Sequence, residues 1–148
     1  MTNTNYKPIT PLLSADSIIQ ITNEAGQTSI VLIERKNPPY GWAIPGGFVD
    51  IGETIEHAAI REAKEEVCLD VELECLLGIY SDPERDKRGH TATAVYVANA
   101  NGVPQAADDA KSVAMFNIDA LPTGLAFDHD KVLQDYLQYK KSGKVKAV

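Results

Sequence analysis

Between Asp50 and Glu74 the chain gathers nine carboxylates against two bases, Arg61 and Lys64, a net charge of −7 that equals the charge of the whole protein. Within this stretch the run Arg61-Glu62-Ala63-Lys64-Glu65-Glu66 is preceded by Glu53 with seven residues between, and Glu53 by Gly47 with five. Grouped carboxylates are the donor set that a hard divalent cation takes. The glycine pair of Pro45-Gly46-Gly47 lets a backbone turn sharply and come close to a ligand. A loop and helix carrying four acids beside such a turn can hold metal ions and present them to a phosphate.

These residues need a helix to align them. The segment from Thr54 to Val67 is rich in Ala, Glu, Ile and Arg and lacks Gly and Pro, which predicts a helix with Thr54 as its N-cap. At 3.6 residues per turn Glu62, Glu65 and Glu66 fall within one arc of roughly 100°. That arc overlaps the side of Ile55, Ala58 and Ala59, the stripe expected to face a sheet. Negative charge near a helix C-terminus opposes the macrodipole by about 0.3–1 kcal/mol per exposed group, and Glu62 and Glu66 repel at i,i+4. A purely solvated acidic face would lie opposite the apolar stripe; this one does not, which favours a cation site.

The remaining elements follow from pattern. Residues Asp16 to Thr22 and Thr28 to Arg35 predict a β-hairpin across Asn23-Glu24-Ala25-Gly26. Trp42-Ala43-Ile44 reads as a short strand ahead of a Pro45-Gly46-Gly47 turn, and Val71 to Tyr80 and Thr91 to Ala98 read as strands around a charged loop from Ser81 to His90. A short apolar piece follows from Met115 to Ile118, then a helix from Asp130 to Lys141. Strands with two separated helices predict an α/β fold, a mixed sheet covered on both faces.

At 148 residues, with 44% apolar and 24% charged residues, the chain is expected to form one soluble domain. Its longest aliphatic run, Ile30-Val31-Leu32-Ile33, is too short to span a bilayer. The opening Met1-Thr2-Asn3-Thr4-Asn5 lacks the regions of a secretory signal, so a cytoplasmic location is expected. Cys68 and Cys75 form no CxxC pair, which argues against a disulfide framework or a zinc ribbon. The acidic balance argues against a nucleic-acid partner.

The spacing resembles the Nudix box, G-x5-E-x7-R-E-U-x-E-E-x-G-U, with U a bulky aliphatic; Gly47, Glu53, Arg61, Glu62, Glu65 and Glu66 occupy its fixed charged and leading glycine positions. Ala63 stands in place of a larger aliphatic, and Cys68 in place of the second glycine, with Leu69 after it. That glycine follows the helix end, where φ > 0 is common. A cysteine there implies another helix exit or roughly 1–2 kcal/mol of strain. Trp42 to Asp50, Tyr80 to His90, Asp108-Asp109-Ala110 and Ala126 to Asp130 are similar to segments of prokaryotic ADP-ribose pyrophosphatases, so the resemblance runs from about residue 14 to 139.

The resemblance implies a single Nudix-type α/β/α sandwich over residues 1–148, with 1–13 an N-terminal extension and 142–148 a frayed tail. It implies hydrolysis of a nucleoside diphosphate derivative, ADP-ribose giving AMP and ribose 5-phosphate, and a homodimer with no membrane partner. Magnesium, with manganese able to substitute, would be held by the Gly47 carbonyl, Glu62, Glu65 and Glu66, with Glu53 an additional metal-side or water-mediated ligand. Arg61 would orient the glutamates through Glu65, placing Glu65, Glu66 and Arg61 in the catalytic group. The general base stays open among Glu65, Glu66, Glu84, Asp108 and Asp109. Arg35, Arg85 and Arg88 are candidate phosphate or ribose contacts beside Gly46 and Gly47, although Arg85 and Arg88 fit a solvated loop nearly as well. His57 reads as surface, His90 as a loop-end hydrogen bond, Trp42, Phe48 and Tyr80 as packing, and His129 has no assigned role. Two other readings stay open: a Nudix hydrolase of another substrate (an oxidised nucleoside triphosphate, a dinucleoside polyphosphate or a sugar nucleotide), and a module that senses ADP-ribose without turnover.

Overall fold

The computed structural model describes residues 5–148. Seven strands and two helices follow in the order β1 (Leu12–Thr22), β2 (Thr28–Arg35), β3 (Trp42–Ala43), β4 (Gly46–Phe48), α1 (Ile55–Val67), β5 (Glu72–Tyr80), β6 (Thr91–Asn99), β7 (Ala110–Asn117) and α2 (His129–Ser142). The expected N-terminal extension therefore ends earlier than residue 13, because Leu12 and Leu13 already pair with Thr91 and Ala92. Residues 1–4 of that extension lie outside the described residues.

The predicted hairpin forms between β1 and β2, closed by Asn23, whose side chain accepts from the Gln27 N–H at 2.9 Å, and by Gly26 at φ +79°. The sheet runs β3-β2-β1-β6-β5, with β7 added to β2 and β4 to β1. Only β1 and β6 pair in parallel, so the sheet is mixed. The segment expected as a short piece from Met115 to Ile118 is a full eight-residue strand, since Ala110, Ser112 and Val113 are drawn into register by β2, with a bulge between Ser112 and Ala110.

Side chains alternate across a strand, and β1 uses that alternation to serve two layers. Ile18 meets Ile30, Leu32, Val95 and Val97 on the face covered by Val132, Leu133 and Tyr136 of α2. Ile19 meets Val31, Ile33 and Ala98 on the opposite face, covered by Ala63 and Val67 of α1. The result is the expected sandwich of a sheet between two helices. The buried Tyr136 hydroxyl donates to the Gln20 side chain at 2.7 Å, leaving no polar gap in the α2 interface.

Helix α1 begins as predicted, with the Thr54 hydroxyl accepting from the His57 N–H at 3.1 Å. Ala58, Ala59 and Ala63 are buried, and their small size brings the helix axis close to the sheet. The helix closes on Cys68 at φ 59° and ψ 32°, whose N–H donates to the Lys64 carbonyl at 3.1 Å. The exit keeps the left-handed geometry that suits glycine, so the strain alternative holds. No helix among the described residues is long and apolar enough to cross a membrane. Cys68→Gly should raise the unfolding free energy by about 1 kcal/mol, the αL penalty outweighing glycine's extra freedom in the unfolded chain; urea denaturation measures this, and an unchanged or lower value would refute the strain.

Candidate active site

The Pro45-Gly46-Gly47 segment is not the free turn expected from its composition. Gly46 and Gly47 lie in β4, paired with Asp16 and Ala15 of β1. A Cβ at Gly46 would overlap the Asp16 carboxylate, and one at Gly47 would overlap the Glu62 carboxyl. The two missing side chains are what allow a strand to pass between β1 and the acidic edge of α1.

That passage borders a cavity of about 260 Å³. Its lining includes the acids Glu62 and Glu66 from α1, Asp16 from β1, Asp86, and Asp109 from the loop before β7, together with Arg35, Arg85 and Arg88. Glu66 is only 5% exposed, and its Oε2 has no hydrogen-bond partner. Burial, with the negative charge of Glu62 and Asp16 nearby, pushes its carboxyl up to about 9. Burial also raises Glu62, against the opposing pull of Arg61. Glu65, by contrast, faces outward with a half-exposed side chain and does not line the cavity. The arc predicted from periodicity thus divides, two glutamates turning in and one out.

Arg61 organises the acidic edge. Its Nε and Nη2 donate to the two oxygens of Glu53 at 2.7 and 2.9 Å, and Nη1 donates to Glu62 at 2.9 Å and to Glu65 at 3.1 Å. Nη2 also donates to the Phe48 carbonyl at 3.0 Å, fixing the helix against β4. The main partner is therefore Glu53, not Glu65 as expected. Arg61 holds the Glu53 carboxyl down at about 2 and is itself raised by that bond. His57 is exposed yet not idle, since its Nδ1 meets Glu53 at 2.6 Å. Both Glu53 oxygens are occupied, whereas Arg61 takes a single oxygen from Glu62 and from Glu65.

Among the described residues, no three His, Cys, Asp or Glu side chains stand close enough to hold a metal ion in this arrangement. The donor chemistry nevertheless fits a hard cation. A buried carboxylate oxygen without a partner, a second desolvated carboxylate and a strand without side chains beside them form an oxygen-rich recess.

The arginines separate by partner. Arg85 is 4% exposed, with Nε and Nη2 bonded to Asp128 at 2.9 and 2.7 Å and Nη1 to Thr93. Three of its donors hold the loop to the start of α2, so it is not a solvated loop residue, and it also lines the cavity. Arg88 is half exposed and gripped by Asp86 at 2.9 and 3.0 Å. Arg35 donates to the Pro39 and Pro38 carbonyls at 2.8 and 3.5 Å, and not to a carboxylate. Arg35 and Arg88 approach the Phe127 ring at 4.9 and 5.3 Å. Burial lowers the Arg35 pKa, and the charge of Arg88 lowers it further. Two partly desolvated like charges at one ring make a wall disposed to an anion.

Of the other expected residues, Asp109 lines the cavity, while Glu84 and Asp108 do not. Asp108 is held at φ 49°, its carbonyl accepting from Lys36 Nζ at 2.6 Å. His90 Nε2 bonds the Ser81 carbonyl at 2.9 Å, Tyr80 is core, and Trp42 packs edge-on against Phe116 at 5.2 Å. Phe48 borders the cavity. Asp16, Phe127 and His129 were missed as site residues. An acid in the buried stretch Leu13-Ser14-Ala15-Asp16-Ser17-Ile18 was the available signal for the first; nothing local marked the other two.

A pH prediction follows for the metal-free protein. Native Glu66 keeps its proton up to about 9, whereas the unfolded carboxyl releases it near 4.5, so this group makes stability fall as pH rises through that window. The fall should be smaller in Glu66→Gln, measured by urea unfolding across the window; superimposable profiles would contradict the buried state.

The NUDIX domain family profile matches residues 11–136. The chain is 44% identical over 133 residues to a protein of Methanocaldococcus jannaschii named ADP-ribose pyrophosphatase, covering 88% of this chain and 75% of that one. It is 32% identical over 131 residues to the ADPR responsive transcriptional repressor NtrR of Acinetobacter baylyi, covering 84% of this chain but about half (52%) of the repressor. Among solved structures, the NUDIX domain of Shewanella oneidensis NrtR complexed with ADP ribose superposes with a TM-score of 0.77 at 25% identity, over 95% of this chain and 99% of that one. With a matching profile across most of its length and a relative at this identity, the chain belongs to the Nudix family.

Proposed function

We propose that this protein hydrolyses the diphosphate linkage of ADP-ribose to give AMP and ribose 5-phosphate. The observation that carries the reading is the presence within one cavity of a buried, partnerless Glu66 oxygen and the Arg35–Arg88 wall. The resemblance to a protein named ADP-ribose pyrophosphatase narrows the substrate. The Gly47 carbonyl, Glu62 and Glu66 would hold divalent cation, Mg²⁺ with Mn²⁺ able to substitute, and Glu65 would join them by exchanging its bond to Arg61 for the ion. Such an ion, when bound, neutralises phosphate charge and acidifies an attacking water.

The chain's own residues divide the remaining work. Glu53 anchors Arg61 through both oxygens, and Arg61 sets the angle at which Glu62 and Glu65 are presented. Arg35 and Arg88 receive the diphosphate oxygens or the adjoining ribose phosphate, and Gly46 and Gly47 border the cavity while leaving room for the Asp16 and Glu62 carboxyls beside them. Asp109 is the base this reading favours, because it borders the cavity and Asp108 and Glu84 do not. We place the protein in the cytoplasm as a homodimer; Leu12, Phe48 and Ile51 are exposed apolar side chains available to such a contact.

A second reading, binding of ADP-ribose without turnover, is favoured by the likeness to an ADPR responsive repressor. The two separate on product. Incubation with ADP-ribose and Mg²⁺ should yield AMP and ribose 5-phosphate by chromatography, ahead of an oxidised nucleoside triphosphate, a dinucleoside polyphosphate and a sugar nucleotide; saturable binding with no AMP would select the second reading. Glu66→Gln should abolish turnover with the fold retained, and Asp109→Asn should lower kcat by about 10²–10⁴-fold if it takes the proton. Arg35→Ala should raise KM about tenfold or more, the worth of a charge-assisted hydrogen bond; a steady-state KM equal to wild type would remove Arg35 from the substrate site.

A further inference from the structure

One buried acid has no part in the reaction described above. Asp16 is 7% exposed in the middle of β1, and its Oδ2 lies 3.3 Å from His129 Nε2. The His129 ring is itself 2% exposed, and its Nδ1 accepts the Ile44 N–H at 3.0 Å. A backbone N–H can only donate, so Nδ1 is the bare nitrogen and the ring proton sits on Nε2, 3.3 Å from the Asp16 carboxylate. The imidazole is therefore a built support for Asp16, fixed at its far side by the main chain and at its flank by Phe127, 5.3 Å between ring centroids. Phe127 is held at φ 56°, a conformation that a bulky residue adopts only where its surroundings enforce it.

The other side of Asp16 faces the cation recess. Its Oδ1 fills the space where Gly46 would carry a Cβ, and Gly46 in turn offers its N–H to Glu66. Asp16 and Glu66 thus bracket one glycine, both more than nine-tenths buried, and neither forms an ion pair with Arg or Lys among the described residues. Two acids out of water, separated by a single backbone unit, repel each other unless positive charge comes between or beside them. The Coulombic pressure of Asp16 on Glu66 is one cause of the raised Glu66 carboxyl.

We propose that Asp16, held by His129 behind Gly46, is a positioning residue that strengthens divalent-cation binding at Glu66 by its fixed charge without ligating the ion. The inference rests on the reading of Glu66 as a cation ligand. Supporting residues behind metal ligands commonly change affinity by about 10–100-fold when replaced.

The test is Mn²⁺ titration of the full chain by calorimetry or electron spin resonance, with thermal melting of the metal-free protein alongside. Asp16→Asn, close to isosteric, should weaken Mn²⁺ binding about tenfold or more while leaving the melting temperature equal to or above wild type. His129→Gln, which keeps an N–H for Asp16 and an acceptor for Ile44, should retain most of the affinity. Wild-type affinity in Asp16→Asn overturns the proposal. If that variant does not fold, Asp16→Ser replaces it, and failure of both to fold assigns Asp16 a structural role and overturns the proposal too. Glu66→Gln separates the two readings: abolished binding there with intact binding in Asp16→Asn overturns this inference alone. A wild-type protein that takes up no Mn²⁺ overturns the proposed function along with it.

Discussion

A carboxyl group withheld from water sets the terms for the rest of this molecule. Glu66 projects from the last turns of α1 into a recess closed by β1, β4 and the loop before β7. The Ala107 N–H bonds its backbone carbonyl at 2.9 Å, and the Gln105 N–H bonds that of Val67 at 3.0 Å. Those bonds satisfy helix-end carbonyls that would otherwise face solvent, and they seal the recess. Burying an ion carries a penalty of several kcal/mol, so this position is stable only with a proton or a cation on it. The small residues around it (Ala58, Ala59 and Ala63 on the helix, Gly46 and Gly47 on the strand) bring the helix and sheet close enough to exclude water.

The cationic side chains show how the number of committed donors decides a role. Arg61 spends its guanidinium on Glu53, Glu62, Glu65 and the Phe48 carbonyl, and so becomes a brace for the acidic edge. Arg85 spends its own on Asp128 and Thr93 and joins the loop after β5 to the start of α2. Arg35 and Arg88, converging on Phe127, keep charge directed at the cavity. A guanidinium offers five donors in a planar fork, which lets the same residue type build a scaffold in one place and face a ligand in another.

Strand β1 couples these parts. Its alternate residues turn toward α1 or toward the cavity and α2, so Ser14 and Asp16 enter the site while Ile18, two positions on, enters the core against Val132 and Tyr136. The register with β4 places Asp16 opposite Gly46. Position along a single strand therefore separates chemistry from packing by one turn of the pleat. Helix α2 completes the arrangement at its first residues, with Asp128 on Arg85 and His129 on Asp16.

Much of this was legible in the sequence. The box residues, the helix that carries them, its Thr54 cap and the β1–β2 hairpin follow from local pattern, because capping, periodicity and turn chemistry act over a few residues. The left-handed conformation at Cys68 follows from helix-end geometry in the same way. Sequence spacing could not tell which acids face inward: Glu62, Glu65 and Glu66 share an arc, and only the position of the sheet decides that Glu65 is exposed and Glu66 is not. It could not show that Glu53, eight residues away, is the chief partner of Arg61, or that Asp16 and His129, 113 positions apart, meet at 3.3 Å. The chain by itself fixed the local elements and the chemical inventory of the box; tertiary structure alone chose partners and burial, because pairing and desolvation depend on distances through space that neighbouring residues do not set.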